Sequence, residues 1–218
     1  CRLPAACCGV VGFKPTYGVI STKGILEGEK ADPAIVALSH GAITTRSAAD
    51  TLLVLRIFAK IEAAPATPPR IGVVTNFKAT KPVREVFESV IARLGEYHEV
   101  EAPFDNPGFD IGNIDADRRG AGKFFRDVDL FVLPTTTETT PTVKQATGNP
   151  LALSAENTMF ANYFGLPAIS IPMGEDVHGL PLGLQIVGRP REDARVIAAA
   201  TTFQERLTDN ARSPSRRA

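Results

Sequence analysis

Two pairs of polar side chains are the best candidates for contact with a small molecule. Thr158 and Asn162 are four residues apart, so in a helix their side chains lie on one face. Thr135 and Thr136 directly follow the apolar run Asp129–Pro134, which is typical of a central strand. Because open α/β sheets bind ligands beyond the carboxyl ends of their strands, we expect a pocket there. Packing of the helix face onto the sheet and capping of the strand end are the alternative, purely structural roles.

Groups able to support nucleophilic catalysis are present, but their spacing does not form a recognisable unit. A serine nucleophile needs a base within hydrogen-bond reach. Ser39 and His40 are adjacent, and the side chains of neighbours in sequence rarely point at one another. No Gly-x-Ser-x-Gly elbow is present in the sequence. We therefore expect ordinary polar roles for this pair and a structural role for Lys14.

The three cysteines, Cys1, Cys7 and Cys8, lie together at one end of the chain. An odd number with two adjacent members is a poor disulfide framework, and neither CxxC spacing nor a nearby histidine indicates zinc. We expect small, buried, free thiols in a reducing compartment, and therefore a cytoplasmic protein. A nucleophilic Cys1 or Cys8 is the weaker alternative. No metal and no cofactor are expected.

The overall composition is that of an ordinary globular protein. The 218 residues are 44% hydrophobic and 22% charged, with a formal net charge of zero. Neutrality argues against nucleic-acid and acidic-membrane partners, and no apolar run reaches the roughly 18 residues that span a bilayer. Because the first residue is Cys and not Met, we expect a truncated or processed chain.

The elements that position the candidate residues alternate between strands and helices. Tightly turned backbone with short strand pieces and no helix is predicted for residues 1–24, and residues 63–69 and 103–116 are predicted to be a linker and a loop. Strands are predicted at Arg70–Val74, His98–Glu101, Asp129–Pro134, Ala168–Pro172 and Gly183–Gly188, and helices from Ser47 to near Lys60, Val83–Leu94, Asp117–Arg126, Leu153–Phe164 and Asp193–Leu207. Ser47 and Asp193 are the expected N-caps. The pattern predicts an α/β fold with a mixed, largely parallel central sheet covered by helices on both faces.

Four segments of the chain, in order, resemble the amidase signature family of amide hydrolases. They are Arg2–Ser21, Gly41–Arg46 with the helix that carries Asp50, Asp129–Thr136, and Asn162–Gly188. The last contains Gly-Leu-Pro-Leu-Gly-Leu-Gln-Ile-Val-Gly, which is similar to the family's Gly-Leu-Pro-x-Gly-Leu-Gln motif. Because the four matches cover most of the chain, the resemblance is specific.

The resemblance implies amide hydrolysis by a Ser–cis-Ser–Lys triad, with the nucleophilic serine one residue ahead of the position of Cys1. All three catalytic residues precede Cys1 in the family order, so none is assigned to this chain. The expected organisation is the carboxyl-terminal portion of an amidase-like domain over residues 1–207, followed by a disordered tail at 208–218. The resemblance also places Thr158 at a position that commonly faces the acyl part of the substrate, with Asn162 supporting the same wall.

Two departures from the family pattern narrow the expected function. Family members that accept glutamine carry an acid three residues before the position of Thr158, where this chain has Ala155, and Glu156 is displaced by about 100° around a helix. The region between Pro103 and Asp117 is short where relatives usually carry a helical insert. The substrate range is therefore poorly defined by the sequence.

The leading hypothesis is an amidase that hydrolyses carbon–nitrogen bonds of small acyl amides through a serine acyl-enzyme. The alternatives are a non-catalytic scaffold or degenerate fragment, and the amidase-like component of a glutamyl-tRNA amidotransferase. The expected partner is a small-molecule amide, a homodimer is one assembly left open, and neither nucleic acid nor membrane is expected to bind. The isolated chain is expected to be inactive and only marginally soluble.

Overall fold

Seven strands form a single sheet in the computed structural model of the chain. The structure describes residues 1–25, 27, 28, 30–61, 64, 65, 67–93, 95–104, 109–149 and 152–212, with side chains up to 207. The strands are β1 (Val11–Lys14), β2 (Ile43–Thr45), β3 (Ile71–Val74), β4 (His98–Val100), β5 (Leu130–Pro134), β6 (Ala168–Glu175) and β7 (Pro181–Gly188). Their order across the sheet is β2-β1-β6-β7-β5-β3-β4.

Eight α-helices and two short 3-10 turns accompany the sheet in this described part of the chain. The helices are α1 (Arg2–Cys8), α2 (Pro33–Leu38), α3 (Ala48–Phe58), α4 (Lys81–Ile91), α5 (Ile114–Gly120), α6 (Val143–Ala146), α7 (Glu156–Tyr163) and α8 (Asp193–Arg212). The 3-10 turns span Ile111–Asn113 and Ala121–Phe125. None of the helices described is both long enough and apolar enough to cross a bilayer.

The α/β fold with a mixed sheet is confirmed, but the prediction that the sheet is largely parallel is wrong. Strand β3 pairs in parallel with β4 and β5, as the strand–helix–strand pattern predicts. The pairs β1–β2, β1–β6, β6–β7 and β5–β7 are antiparallel. The antiparallel half arises because β6 and β7 are joined by a tight turn, which permits only antiparallel pairing, and β7 then inserts next to β5.

The β6–β7 hairpin is longer than the sequence predicts. Strand β6 continues past Pro172 to Glu175, with an irregular register between Pro172 and Gly174, and β7 begins at Pro181. The connecting turn is closed by Asp176, whose Oδ1 accepts hydrogen bonds from the backbone N–H groups of His178 (2.8 Å) and Leu180 (2.9 Å). The carboxylate therefore accepts hydrogen bonds from two turn N–H groups that have left the strand ladder.

Helices cover both faces of the sheet, as predicted, and two glycines of β7 show where they approach. A Cβ at Gly183 would meet Ala6 of α1 at 2.6 Å, and a Cβ at Gly188 would meet Val196 of α8 at 2.3 Å. Residues 183 and 188 have opposite parity in one strand, so α1 and α8 pack on opposite faces. Gln185 has the parity of Gly183, and its Nε2 donates to the backbone oxygen of Asn157 in α7 at 2.7 Å. Helices α1 and α7 therefore share one face.

Helix α1 contradicts the prediction that residues 1–24 contain no helix. Ala5 and Ala6 favour helix and are buried, and the proline at position 4 lies in the first turn, where its missing N–H has no helical partner to lose. Gly9 ends the helix in the left-handed conformation (φ 66°). The glycine and proline content of this segment therefore marks the ends of a short helix and not its absence.

Other boundaries differ from the predictions by a few residues. Helix α3 begins after its predicted cap, Ser47, whose Oγ accepts from the Asp50 N–H at 3.1 Å. The helix predicted at Asp117–Arg126 begins earlier, at Ile114, and ends in a 3-10 turn, while α7 is shorter than predicted at both ends. Helix α8 runs past Leu207 to Arg212, so the start of the segment predicted to be disordered is helical. Residues 213–218, parts of the predicted linker (62, 63 and 66), Leu94 and residues 105–108 lie outside the described residues.

A cluster of charges at the start of β5 ties several elements together. Asp129 lies 3.2 Å from Arg70, 3.1 Å from Arg189 and 3.4 Å from Arg195, measured between carboxylate oxygens and guanidinium nitrogens. These arginines precede β3, follow β7 and lie in α8, respectively. One carboxylate therefore joins the start of β3, the end of β7 and helix α8.

Candidate functional site

A cavity of about 530 Å³ opens where the amino end of α1 meets α7. Its polar lining includes Arg2, Lys14, His40, Thr158 and Asn162, and its other lining residues are largely apolar: Leu3, Pro4, Ile25, Ile35, Leu38, Ala42, Ala155 and Met159. Cys1 also lines it, so the residue that the resemblance places next to the reacting serine lies at this cavity.

Arg2 holds the two helices together at the cavity. Its guanidinium donates to the side-chain oxygens of Gln185 and Asn162, and to the backbone oxygen of Thr158 at 3.0 Å. Only 5% of Arg2 is exposed, and burial lowers its pKa to about 9. Gln185 is fully buried and donates in turn to Asn157, so a single hydrogen-bonded chain links α1, β7 and α7.

Thr158 and Asn162 lie where the sequence predicts, on one face of α7 at the cavity. Thr158 Oγ1 donates to the backbone oxygen of Ala155 at 3.0 Å, and its own backbone oxygen accepts from Arg2. Asn162 Nδ2 donates to the backbone oxygen of Leu38 at 3.0 Å, while its Oδ1 accepts from Arg2. Both side chains line the space a ligand would occupy, and their contact with a substrate stays a prediction.

Thr135 and Thr136 lie elsewhere. Thr135 is fully buried beneath α1, with its Oγ1 2.7 Å from Ser170 Oγ and its N–H donating to Gly183 at 2.8 Å. Thr136 is buried as well, and neither threonine lines the cavity that Thr158 and Asn162 share. The four candidates are therefore not brought together at one cavity.

Lys14 and His40 give the cavity an unusual electrostatic character. Lys14 is 3% exposed, and its Nζ donates to the backbone oxygen of Pro15 at 2.9 Å. Burial, and next the charge of Arg2, hold the pKa of Lys14 well below its ordinary value. Burial, followed by the charge of Lys14, lowers the pKa of His40 to about 2, so its imidazole is neutral. His40 Nδ1 lies 2.9 Å from the Leu38 oxygen, and its buried Nε2 has no hydrogen-bond partner among the described residues.

The neighbouring Ser39 does not form a catalytic pair with His40. Its Oγ donates to the backbone oxygen of Ile35 at 2.6 Å, away from the imidazole. The expectation that these adjacent residues have separate roles is confirmed. No three His, Cys, Asp or Glu side chains cluster as metal ligands would within the part of the chain that the structure describes.

Asp193 does not have the capping role that the sequence predicts. It is the first residue of α8, and its carboxylate accepts hydrogen bonds from Thr16 N (2.8 Å) and Thr16 Oγ1 (2.7 Å). Thr16 Oγ1 also accepts from the Arg191 N–H at 2.9 Å. The carboxylate therefore fixes the segment after β1, a long-range contact that no local pattern shows.

The cysteines are free, as predicted, but they are not buried. Cys1 and Cys8 are exposed and Cys7 is partly buried. The reason is the unpredicted helix, which turns Ala5 and Ala6 towards the sheet at the positions where Gly12 and Gly183 leave space. The cysteines consequently occupy its outer side and its ends.

A second cavity of about 760 Å³ adjoins the first and shares Ala155 and Met159 with it. Three aromatic residues line it: Phe104, Phe109 and Phe124. Glu156 also lines it, and its carboxylate lies 2.6 Å from Lys78 Nζ. The acid next to Ala155 is therefore engaged with a lysine and does not substitute for a carboxylate at position 155.

Arg2 and Gln185 are the site residues that the sequence reasoning missed. Arg2 lies within the first of the four motifs, but its local sequence is that of a short helix end and does not reveal burial. Gln185 interrupts an otherwise apolar strand, Leu182–Val187, and a lone amide in such a run is a signal for a buried hydrogen-bond partner. That signal could have identified Gln185.

Comparisons of this chain with a family profile, with related sequences and with solved structures all indicate the family that the motifs resemble. The Amidase family profile matches residues 1–110 and 111–197. The chain is 36% identical over 98 residues to a glutamyl-tRNA(Gln) amidotransferase component of Ruminiclostridium cellulolyticum, covering 44% of this chain and 20% of that protein. It is 42% identical over 93 residues to fatty acid amide hydrolase of Arabidopsis thaliana, covering 37% and 14%.

Solved structures share the fold. A crystal structure of an amidase superposes with a TM-score of 0.74 at 24% identity, covering 94% of this chain and 60% of that one. A 6-aminohexanoate cyclic dimer hydrolase in complex with its substrate gives 0.70 at 22% identity, covering 98% and 64%. The chain spans less than two thirds of each of these proteins. With a family profile that covers nearly the whole described sequence, and with three of the four motifs contributing residues to this cavity, the chain belongs to the amidase signature family.

Proposed function

We propose that these residues form the acyl-side wall of an amide hydrolase that cleaves carbon–nitrogen bonds of small acyl amides through a serine acyl-enzyme. The observation that carries the proposal is the meeting of Cys1 and Arg2 with Thr158 and Asn162 at one cavity. A serine attached to the amino end of α1 would stand at the mouth of this cavity. Its acyl group would then extend along the α7 face.

Arg2 would act as a positioning residue in this reaction. It fixes α1 to α7 through Thr158 and Asn162, and hence fixes the backbone that carries the reacting group. Precise placement of a nucleophile relative to its substrate accounts for much of the rate gain in acyl transfer. Thr158 and Asn162 would shape the space for the acyl group, and the aromatic cavity beyond Met159 gives room for an apolar extension.

The reaction is tested by comparing two proteins: the 218-residue chain, and the same chain extended at its amino end by its encoded upstream sequence. We expect the extended protein to release ammonia from aliphatic or aromatic primary amides and to be labelled on serine by a fluorophosphonate. The shorter chain should do neither. An extended protein that is folded, yet inactive on all the amides and unlabelled, would refute the proposal.

The role of Thr158 is tested in the same extended protein by Thr158→Val, which removes the hydroxyl and nearly keeps the volume. If the side chain contacts the substrate, KM should rise several-fold while the melting temperature changes little. Thr147→Val, at an exposed threonine, is the matched control. Unchanged kinetics in Thr158→Val would leave this residue a packing role only.

Glutamine as substrate separates this proposal from an amidotransferase function. Relatives named as amidotransferase components favour the alternative, whereas Ala155 provides no carboxylate for a substrate amine. We expect simple amides to be hydrolysed in preference to glutamine. Preferential use of glutamine, together with co-purification of the other proteins of such a complex, would favour the amidotransferase.

A further inference from the structure

Three basic side chains lie in or next to the wall of the cavity. Arg2 and Lys14 line it, and Arg118 lies behind Asn162, donating to that residue's backbone oxygen at 3.3 Å and to Ala37 at 2.6 Å. All three charges act on His40 and contribute to lowering its pKa, behind the larger effect of burial. They are therefore close enough together to form one positive region.

Neutral acceptors are the only hydrogen-bond partners of Arg2 and Lys14 in the described part of the chain. Arg2 donates to two amide side chains and a backbone oxygen, and Lys14 donates to a backbone oxygen. No carboxylate among the described residues forms an ion pair with either. Burying a charge without a counter-charge is costly, and native proteins usually supply one.

Three arginines on another part of the described chain share one carboxylate. Arg70, Arg189 and Arg195 all meet Asp129, although Arg70 is about half exposed and has less need of a partner. The fully buried Arg2 has none among the residues that the structure describes.

The acids nearest the cavity are engaged with other groups. Asp193 is the acid that acts on Lys14, and both of its oxygens accept hydrogen bonds from Thr16. Glu156, next to the cavity wall at Ala155, is paired with Lys78. Asp193 therefore offsets part of the Lys14 charge without a hydrogen bond to it, and the cavity is the open side from which a second carboxylate can reach Lys14 and Arg2.

We propose that the Arg2–Lys14 end of this cavity binds a carboxylate group, which accepts hydrogen bonds from Lys14 Nζ and from the Arg2 guanidinium. A planar carboxylate suits a guanidinium and an ammonium side by side, because charge-assisted hydrogen bonds to both are short and strong. The apolar side chains of Leu3, Ile35 and Leu38 would contact the carbon chain that carries the group. The site does not depend on the proposed hydrolysis.

The carboxylate has two chemical sources, a small organic acid or an acidic side chain of a polypeptide, and two probes distinguish them. The 218-residue chain is titrated with malonate, and separately with a blocked pentapeptide of four glycines and a central aspartate. Binding is measured by calorimetry and by the shift in melting temperature, with sodium chloride at matched ionic strength as the blank. Binding of malonate alone indicates a small acid, and binding of the peptide alone indicates a protein segment. If both bind, the tighter probe identifies the source.

Lys14→Met removes the charge and keeps much of the side-chain length. We expect it to weaken binding at least about tenfold, the loss that follows when one charge-assisted hydrogen bond disappears. Lys23→Met, at an exposed lysine, should bind as the unchanged protein does. Equal affinity in Lys14→Met, or no binding of either probe beyond the chloride blank, would overturn the proposal.

A measurement on the unchanged protein guards against a Lys14→Met variant that does not fold. In an NMR titration of isotopically labelled protein, the chemical shifts of the Lys14 ε-carbon and the Arg2 δ-carbon should change as the probe that binds is added. The ε-carbon of Lys23 should stay in place. Absence of movement at both Lys14 and Arg2 would equally overturn the proposal.

Discussion

His40 shows how a residue with common acid–base uses can be held in one protonation state by its surroundings. Its Nδ1 hydrogen bonds the Leu38 oxygen, its ring packs edge-on against Tyr17, and its Nε2 is buried. A proton on Nε2 would add a charge beside Lys14 and Arg118, where burial already disfavours it. The imidazole therefore serves as a neutral hydrogen-bond donor and packing element.

This state predicts a pH dependence of stability. The folded pKa of His40 is about 2, below its ordinary value of 6.5, so its contribution is fully present above pH 6.5 and is lost as pH falls towards 2. Each pH unit in this window costs up to about 1.4 kcal/mol. His40→Asn keeps a donor for Leu38 but does not titrate. We expect the variant to lose less free energy of unfolding than the unchanged protein between about pH 7 and about pH 4.

The control for this effect is His98→Asn, at an exposed histidine of β4. Its denaturant midpoints should follow those of the unchanged protein at every pH. If the His40→Asn midpoints also run parallel to them, the imidazole is not held neutral by the fold.

For single residues, the sequence predicts which face of a helix a side chain occupies better than it predicts which distant residues that side chain contacts. The spacing of Thr158 and Asn162 is enough to place them on one side of a helix, which the structure confirms. It does not predict that Arg2 lies between them and Gln185, because that contact depends on how α1 crosses the sheet. Asp193 fails for the same reason, since its partner Thr16 lies at the other end of the chain.

Helix α1 approaches the sheet closely because glycines lie beneath it. A Cβ at Gly183 would stand 2.6 Å from both Ala6 Cβ and Ser170 Oγ, and a Cβ at Gly12 would stand 2.6 Å from Ala5 Cβ. Distances this short require the helix to move. The position of Arg2 at the cavity therefore depends on small residues in the strands below.

Gly183→Ala should destabilise the fold by about 1–3 kcal/mol, the usual cost of overpacking a tight interior. Urea denaturation measures it as a lower midpoint. Gly122→Ala is the matched control, because nothing lies within 4 Å of its added Cβ, and its midpoint should change little. An equally small change in Gly183→Ala would mean that α1 does not pack as closely as described.

The N-cap of helix α3, Ser47, can be tested separately because its contact is local. Ser47→Ala removes the oxygen that accepts from the Asp50 N–H, and a lost N-cap costs about 1 kcal/mol. For a chain of this size that corresponds to a melting temperature lower by roughly 2–4 °C. Ser47→Asn, which retains a capping oxygen, should restore most of the loss. Equal stability of the alanine and asparagine variants would refute the capping role.

Long apolar runs and amphipathic spacings predict elements reliably, since burial imposes them directly on the sequence. Strands β3, β5 and β7 and helices α3, α4 and α8 follow from such patterns. Helix α2 and strand β2, both short, do not. They have too few residues for a period to be recognisable, and their formation depends on neighbours such as β1.

Asp129 acts at the scale of the whole molecule, because it joins segments that enter and leave the sheet at distant points along the chain. Burial alone would raise the pKa of Asp129, but hydrogen bonds and charge from Arg70 outweigh burial and lower it. The stability it contributes is therefore present above its ordinary pKa of about 3.8 and lost as pH falls through the folded value.

Asp129→Asn should lower the free energy of unfolding at about pH 7 by about 1.5–3 kcal/mol, the range for hydrogen bonds to charged groups. The difference from the unchanged protein should narrow at pH values near about 3, where the aspartate itself becomes protonated. Asp127→Asn, at an exposed acid two residues away, is the control and should change stability little. A pH-independent deficit would indicate a packing defect in place of a lost charge.

The order of the strands in the sheet could not be predicted from the sequence, for a topological reason. Strand β1 pairs with β6 from the opposite end of the chain, and β7 inserts between β6 and β5. Residue patterns report whether a strand is buried, not which strand lies beside it or in which direction. The parallel pairing of β3 with β4 is predictable because a helix connects them, and the antiparallel pairing of β6 with β7 because a tight turn does, whereas the other antiparallel pairs have no such local signature.

This arrangement implies an order of assembly. The β6–β7 hairpin closes over a few residues, whereas β1 and α1 must be brought to it from the far end of the polypeptide, and closing a longer loop costs more entropy. We expect the hairpin to form early and the β1 edge to join late and open first. Native-state hydrogen exchange should then show amides of β1 losing protection before those of β7, so the cavity would be built on the last part of the protein to fold.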